Sequence, residues 1–216
     1  KAENLFAEAS KIAKNLRAQP LQDLTRFYLA FATLDQGLDQ PFIGGHNKDI
    51  NKLNEAVQQL EAFISSSKDQ TLVASALVFL GWANTDLKKY GLAIQQLTQA
   101  KVLNKALGMT TTMGYAAYSI MRIYLLQGEY EKVTLMNDEI TTRFQATFKA
   151  RAFYELGQTK KAINLLTNFK KALPSLWQEE DQQRLLQYQL ASQGKVINLS
   201  DEPKAHVVYC ESDWVM

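Results

Sequence analysis

Apolar residues recur at helical spacing along most of the chain, and no stretch before residue 195 alternates strictly as a half-buried strand would. Residues 2–19 carry one apolar face, made of Leu5, Phe6, Ala9, Ile12, Ala13 and Leu16. The same spacing predicts nine further helices, over residues 21–36, 49–64, 70–87, 90–106, 112–127, 129–142, 144–156, 158–172 and 175–192. The pattern therefore indicates a nearly all-α protein of nine or ten helices, arranged in antiparallel pairs.

Glycine and proline residues separate the predicted helices. They mark the expected turns and helix ends at Pro20, Gly108, Gly128, Gly157, Pro174 and Gly194. Lys88 and Lys89 occupy a further turn, which lacks a glycine. Ser175, followed three residues later by Gln178, forms a capping-box pattern and predicts the start of the last helix there.

Two regions depart from the helical pattern. Residues 37–48 are rich in glycine, proline and asparagine, which predicts a loop. Residues 195–216 form a tail with two short β-prone runs, at 196–199 and 207–209. We therefore expect a helical domain over residues 1–194, followed by a tail that is extended or forms a small β-hairpin or cap.

Three stretches of the chain fit one template. The first contains Leu77, Leu80, Gly81, Tyr90, Ala93, Leu97 and Ala100. The second contains Ala117, Ile120, Tyr124, Gly128, Tyr130 and Val133. The third contains Ala150, Phe153, Gly157, Ala162, Leu166, Phe169 and Pro174. Each predicts an apolar helix, a tight turn that glycine permits, and a second helix with a small or modest residue where the two helices cross.

This template resembles the tetratricopeptide repeat (TPR), a helical hairpin with a period of about 34 residues. The crossing residues Ala93, Val133 and Ala162 are 40 and 29 residues apart (133 − 93 and 162 − 133), so the repeats are degenerate. Two positions that are large and apolar or aromatic in the family are asparagine here, Asn84 and Asn137. The resemblance implies a right-handed α-solenoid with an irregular superhelix.

The resemblance extends more faintly toward the start of the chain. Ala56 and Leu60 have the spacing of a second helix in an earlier hairpin, and so do Ala2, Phe6 and Ala9. We therefore expect Lys1 to lie inside a hairpin whose first helix is missing, which favours a fragment of a longer bacterial protein.

In this family the first helix of each hairpin lines a concave groove. The resemblance places Trp82, Arg122 and Arg151 at equivalent positions on that face, with Val78, Tyr118 and Thr147 one turn earlier and Phe144 nearby. The predicted partner-binding residues are Trp82, Tyr115, Tyr118, Arg122, Arg151 and Tyr154. Tryptophan, tyrosine and arginine are frequent anchors of interfaces. The alternative for each aromatic residue is that it belongs to the core between hairpins.

The composition limits the other functions. A net charge of +2 without a basic stripe argues against direct binding of nucleic acid. No apolar run approaches the roughly 20 residues that a membrane helix needs. The single cysteine, Cys210, excludes an internal disulfide, and the only two histidines, His46 and His206, lie far apart in the sequence. We therefore expect no metal, no cofactor and no catalysis.

The sequence thus predicts a non-catalytic scaffold that binds a protein or peptide, and arginine residues in the groove suit an acidic or C-terminal group. One alternative is a regulatory or sensor domain of a bacterial transcription regulator of the winged-helix type, which binds a small ligand or an inhibitory protein. Self-association through the end hairpins is another. A cytoplasmic and a periplasmic location are both compatible with the sequence.

Overall fold

The protein is described by a computed structural model that covers residues 2–16, 18–38 and 48–195. These residues form ten α-helices and one 3-10 turn: α1 (Ala2–Asn15), α2 (Gln19–Gly37), α3 (Ile50–Ser66), α4 (Gln70–Asp86), α5 (Tyr90–Ala106), α6 (Thr110–Leu126), α7 (Tyr130–Leu135), α8 (Arg143–Glu155), α9 (Thr159–Ala172), the 3-10 turn (Pro174–Leu176) and α10 (Glu179–Ser192). No strand occurs within the described ranges, and the predicted all-α class is confirmed for them. The described chain divides into two compact units, one up to Thr112 and one from Met113 onward.

The first unit is built around α4. This helix packs against α3 and α5 and also contacts α2, and all its residues from Val73 to Asp86 are buried. Aromatic rings join the helices of this unit, since the ring centroid of Phe27 lies 5.7 Å from that of Phe63 on α3 and 5.5 Å from that of Phe79 on α4. A helix that is apolar on nearly every side is expected at the centre of a unit.

Helices α4 and α5 approach closely at Gly81. A Cβ atom at this position would lie 2.5 Å from Cγ and 2.6 Å from Cδ2 of Leu97, which is fully buried on α5. Gly81 lies inside α4 and not in a turn, so its function differs from the one expected for the glycine of the template. It leaves the space that the Leu97 side chain fills.

The turns that follow α4, α6 and α8 share one backbone conformation. Lys88, Gly128 and Gly157 all have a left-handed backbone, with φ of 60°, 72° and 71°. In each turn the next N–H group binds the carbonyl oxygen five residues earlier at 2.8 Å, in the pairs Lys89–Asn84, Glu129–Tyr124 and Gln158–Phe153. Gly108 and Gly194 end α5 and α10 in the same conformation, as predicted from the sequence. These hydrogen bonds satisfy carbonyl groups that a helix leaves unpaired at its C-terminus.

We expect Lys88→Gly to stabilise the protein by about 1 kcal/mol, because a left-handed backbone is unfavourable for every residue with a Cβ atom. Gly128 and Gly157, at the corresponding positions of the other two turns, have no Cβ atom and adopt the left-handed backbone without this energetic penalty. Chemical unfolding would measure the change, and Lys88→Ala is the matched control, since it removes the side chain but keeps the Cβ atom. Equal stability of the glycine and alanine variants would contradict the prediction.

The second unit departs from the prediction in α7. The helix expected over residues 129–142 ends at Leu135, and Thr142 caps the N-terminus of α8 instead. The buried Gln145 side chain accepts hydrogen bonds from the N–H groups of Thr141 (2.9 Å) and Thr142 (3.0 Å), and it donates one to the carbonyl of Glu139 (2.9 Å). The Thr142–Gln145 capping box therefore holds the preceding residues in a non-helical conformation.

Two predicted helix boundaries are also corrected. The last helix begins at Glu179, with a capping box between Gln178 and Asp181, while Ser175 lies in the 3-10 turn. Pro20 does not end the first helix, because α1 stops at Asn15 and Pro20 lies in the first turn of α2. Proline is favourable in a first turn, where its missing N–H group has no intrahelical partner.

Several sequence predictions lie outside the described residues. These are the loop conformation at residues 39–47, the β-prone runs of the tail at 196–199 and 207–209, and the surroundings of His46, His206 and Cys210.

Candidate functional site

Three of the predicted site residues lie at the same sequence distance from the left-handed residue of the turn that follows their helix. Trp82, Arg122 and Arg151 each lie six residues before the left-handed residue of their turn, at Lys88, Gly128 and Gly157. Tyr188 on α10 lies six residues before Gly194 and therefore occupies the same position. α10 thus ends in the same kind of turn, as α5 also does at Gly108, and the sequence analysis did not include α10 in the repeat.

Four of the six predicted partner-binding residues are buried, although they were expected on a surface. Trp82 and Tyr118 are 1% exposed, and Tyr115 and Arg122 are 8% exposed. Arg151 and Tyr154 are half-buried and retain accessible surface. Contact between the buried four and a partner stays a prediction, and it would require the helices around them to move.

The surroundings of Trp82 explain its burial. Its ring centroid lies 5.3 Å from that of Phe79, which lies in turn 4.8 Å from that of Phe31 on α2. Trp82 is thus part of the aromatic core of the first unit, the alternative considered for each aromatic residue. Aromatic side chains contribute large buried areas to such cores.

Tyr118 is enclosed by other aromatic rings within the second unit. Its ring centroid lies 5.2 Å from that of Phe144 and 6.2 Å from that of Phe148, both on α8, and 5.8 Å from that of Tyr115 on α6. Burial raises the pKa of the Tyr118 hydroxyl well above its usual value, and the nearby charge of Arg122 opposes this shift only in part. The hydroxyl is therefore neutral and cannot act as a base near neutral pH.

The accessible residues Arg151 and Tyr154 belong to a cluster between α8 and α10. The ring of Tyr154 stacks on that of Tyr188, with a centroid distance of 4.9 Å and an interplanar angle of 23°. Arg151 forms an ion pair with Glu155, one helical turn later on α8. The α8–α10 cluster is defined by five residues: Arg151, Tyr154, Glu155, Arg184 and Tyr188.

The charges of this cluster meet around the Tyr188 hydroxyl. Burial raises the pKa of Tyr188 to about 12, while the positive charges of Arg184 and Arg151 act to lower it and Glu155 acts to raise it. Arg184 and Arg151 bring two positive charges to the surroundings of Tyr188 and Glu155 brings one negative charge, so the formal charges of the α8–α10 cluster sum to +1 (2 − 1). Guanidinium groups bind carboxylate and phosphate through paired hydrogen bonds, so the cluster suits an anionic group.

Sequence reasoning found Arg151 and Tyr154 but missed Arg184, Glu155 and Tyr188. A signal was available, because Gly194 stands after α10 as Gly157 stands after α8.

Other kinds of site find less support. Within the described ranges, no group of three histidine, cysteine, aspartate or glutamate residues is placed to hold a metal ion. None of the helices described here is both long and apolar enough to cross a membrane.

The chain matches no model of a known protein family and no curated protein.

We expect the burial of Tyr188 to make the fold sensitive to alkaline pH. Its pKa is raised from 10.0 to about 12, so its stabilising effect is complete below pH 10 and is lost as the pH rises from 10 to 12. A shift of this size corresponds to roughly 2–3 kcal/mol. Unfolding free energies of the wild type and Tyr188→Phe, compared at pH 9 and pH 12, would measure it. The phenylalanine variant should lose less stability, and parallel losses would contradict the prediction.

Proposed function

We propose that this protein is a non-catalytic scaffold, built from degenerate TPR-like hairpins, that binds a protein or peptide partner. The observation that carries the proposal is the repeated turn at Lys88, Gly128 and Gly157. Five residues after each of them lies a fully buried residue of the next helix, which is Ala93, Val133 or Ala162 in turn. A right-handed solenoid of antiparallel helix pairs, the architecture that the resemblance implies, belongs to the same proposal.

The partner-binding chemistry that we propose is recognition of an acidic group by the α8–α10 cluster. Arg151 and Arg184 supply positive charge, and the half-buried ring of Tyr154 supplies apolar surface beside it, held in place by its stacking on the fully buried ring of Tyr188. Arg151 is already paired with Glu155 on its own helix. An incoming carboxylate must therefore compete with Glu155, which makes Glu155 an internal mimic of the acidic ligand.

Affinity capture would test the scaffold function. Proteins from a bacterial lysate would be captured on the wild type, on Arg151→Ala/Arg184→Ala and on Lys160→Ala/Lys171→Ala. The second double variant is a matched control, because it removes the same charge from exposed positions on α9. Proteins held by the wild type and the control but lost from the arginine variant would support the proposal. Identical capture by all three proteins would contradict it.

Glu155→Gln should strengthen the binding of an acidic peptide, because it releases Arg151 from its ion pair. Arg151→Ala/Arg184→Ala should weaken the same binding about tenfold, the effect of losing roughly 1.4 kcal/mol. Fluorescence anisotropy with a labelled peptide of alternating glutamate and serine would measure both changes. An equal loss in Lys160→Ala/Lys171→Ala would indicate attraction by the overall charge and not by this cluster.

A further inference from the structure

A groove in the first unit lies between α3 and α5, both of which pack against α4. It has a volume of about 300 Å³ and includes residues from all three helices. We define the α3–α5 groove by the six residues used below: Glu61, Leu77, Leu80, Leu92, Gln95 and Gln99. The volume is at the lower end of the range for ligand pockets and fits one or two large side chains.

The groove is apolar in its depth and polar along its rim. Leu77 and Leu80 of α4 form a nearly buried floor, and Leu92 of α5 is 42% exposed beside it. Gln95 and Gln99 stand exposed on the same side, and their amides carry both donors and acceptors. An extended peptide could therefore place an apolar side chain on the floor while its main chain bonds to the rim.

The charge on the rim is negative. Glu61 is exposed on α3 and forms no ion pair among the residues that the structure describes. A carboxylate at the edge of an apolar surface favours a partner that carries a cation next to its apolar side chain. The α8–α10 cluster has the opposite sign, so this groove is a separate site that does not depend on the function proposed above.

We propose that the α3–α5 groove docks a segment of another protein in which a large apolar side chain is flanked by lysine or arginine. The apolar side chain packs mainly against Leu92, above the nearly buried Leu77 and Leu80, and the flanking cation pairs with Glu61. Exposed pairs of this kind contribute modestly to affinity but discriminate well against segments of the wrong charge.

Two labelled peptides would test this inference by fluorescence anisotropy on the full chain. One carries two leucines flanked by lysines, and the other carries the same leucines flanked by glutamates. The lysine peptide should bind, and Glu61→Lys should weaken it by at least about fivefold, the effect of losing roughly 1 kcal/mol of attraction. Leu92→Ala should weaken it as well, because the apolar wall of the groove is reduced.

Matched controls are available on α7. Glu131→Lys changes the net charge as Glu61→Lys does, and Leu135→Ala truncates a leucine that is 74% exposed outside the groove. Both controls should leave the binding unchanged, and circular dichroism should show all four variants to be folded. No saturable binding of the lysine peptide, equal binding of both peptides, or equal losses in the α7 controls would each overturn the proposal.

Discussion

Leu97→Ala is expected to lower the free energy of unfolding by about 2–5 kcal/mol. The effect of Gly81→Ala on stability is expected to depend on residue 97: the substitution should destabilise the wild type and stabilise the Leu97→Ala variant. Leu97 is fully buried and lies against Gly81, where a Cβ atom would approach its Cγ atom to 2.5 Å. In the wild type, alanine at position 81 must displace either Leu97 or the whole of α5. Overpacking of this kind costs about 1–3 kcal/mol or more.

The same alanine should be favourable once Leu97 has been shortened. The new Cβ atom then occupies part of the cavity, and alanine is better than glycine in a helix interior by about 1 kcal/mol. Gly81→Ala/Leu97→Ala should therefore be more stable than Leu97→Ala alone. Chemical unfolding of the wild type, both single variants and the double variant would measure this coupling.

Gly91→Ala is the control for the intrinsic effect of alanine. Gly91 lies in α5, and a Cβ atom there would meet no other atom within 4 Å. This substitution should be neutral or slightly stabilising in every background. If Gly81→Ala behaved like Gly91→Ala in the wild type, the close approach of α4 and α5 at residue 81 would be contradicted.

The sequence predicted helices well where strong periodicity coincided with a terminating residue. The predicted limits of α5 at residues 90 and 106 are those of the structure, and α9 differs by only one residue at its start. Periodicity was misleading in α7, where Val133 and later apolar residues continued the helical spacing. The Thr142–Gln145 capping box prevents a longer α7, since it forms hydrogen bonds that such a helix would break.

The candidate site was harder to predict than the helices. The repeat register gave Trp82, Arg122 and Arg151 the same position before their turns, but register does not determine exposure. Trp82 and Arg122 are 1% and 8% exposed, and burial of this kind depends on how the helices pack together, which spacing along the chain does not give. The α3–α5 groove also depends on tertiary packing, because it exists only when three helices are packed together. No spacing along the chain would have shown it.

Asp181→Ala is expected to destabilise the second unit by about 3 kcal/mol, the lower end of the range for a broken buried pair, because it leaves a largely buried guanidinium with only Gln178 and the exposed Glu180 as partners. Asp181 is 1% exposed, and its two carboxylate oxygens accept hydrogen bonds from Nε (3.1 Å) and Nη2 (3.2 Å) of Arg143. It also accepts a hydrogen bond from the N–H group of Gln178 (3.1 Å), which caps α10. One side chain therefore joins the start of α8 to the start of α10.

Glu180→Gln provides the matched control, because Glu180 also pairs with Arg143, at 3.3 Å, but its side chain is 63% exposed. An exposed pair contributes at most about 1 kcal/mol, so this variant should remain close to the wild type. Arg143→Ala/Asp181→Ala should lose less stability than the sum of the single variants, because neither charge is then left without its partner. Chemical unfolding of these variants would measure the difference. Equal effects of Asp181→Ala and Glu180→Gln would show that the buried pair does not hold α8 and α10 together, and the binding proposed for the α8–α10 cluster would lose its rigid support.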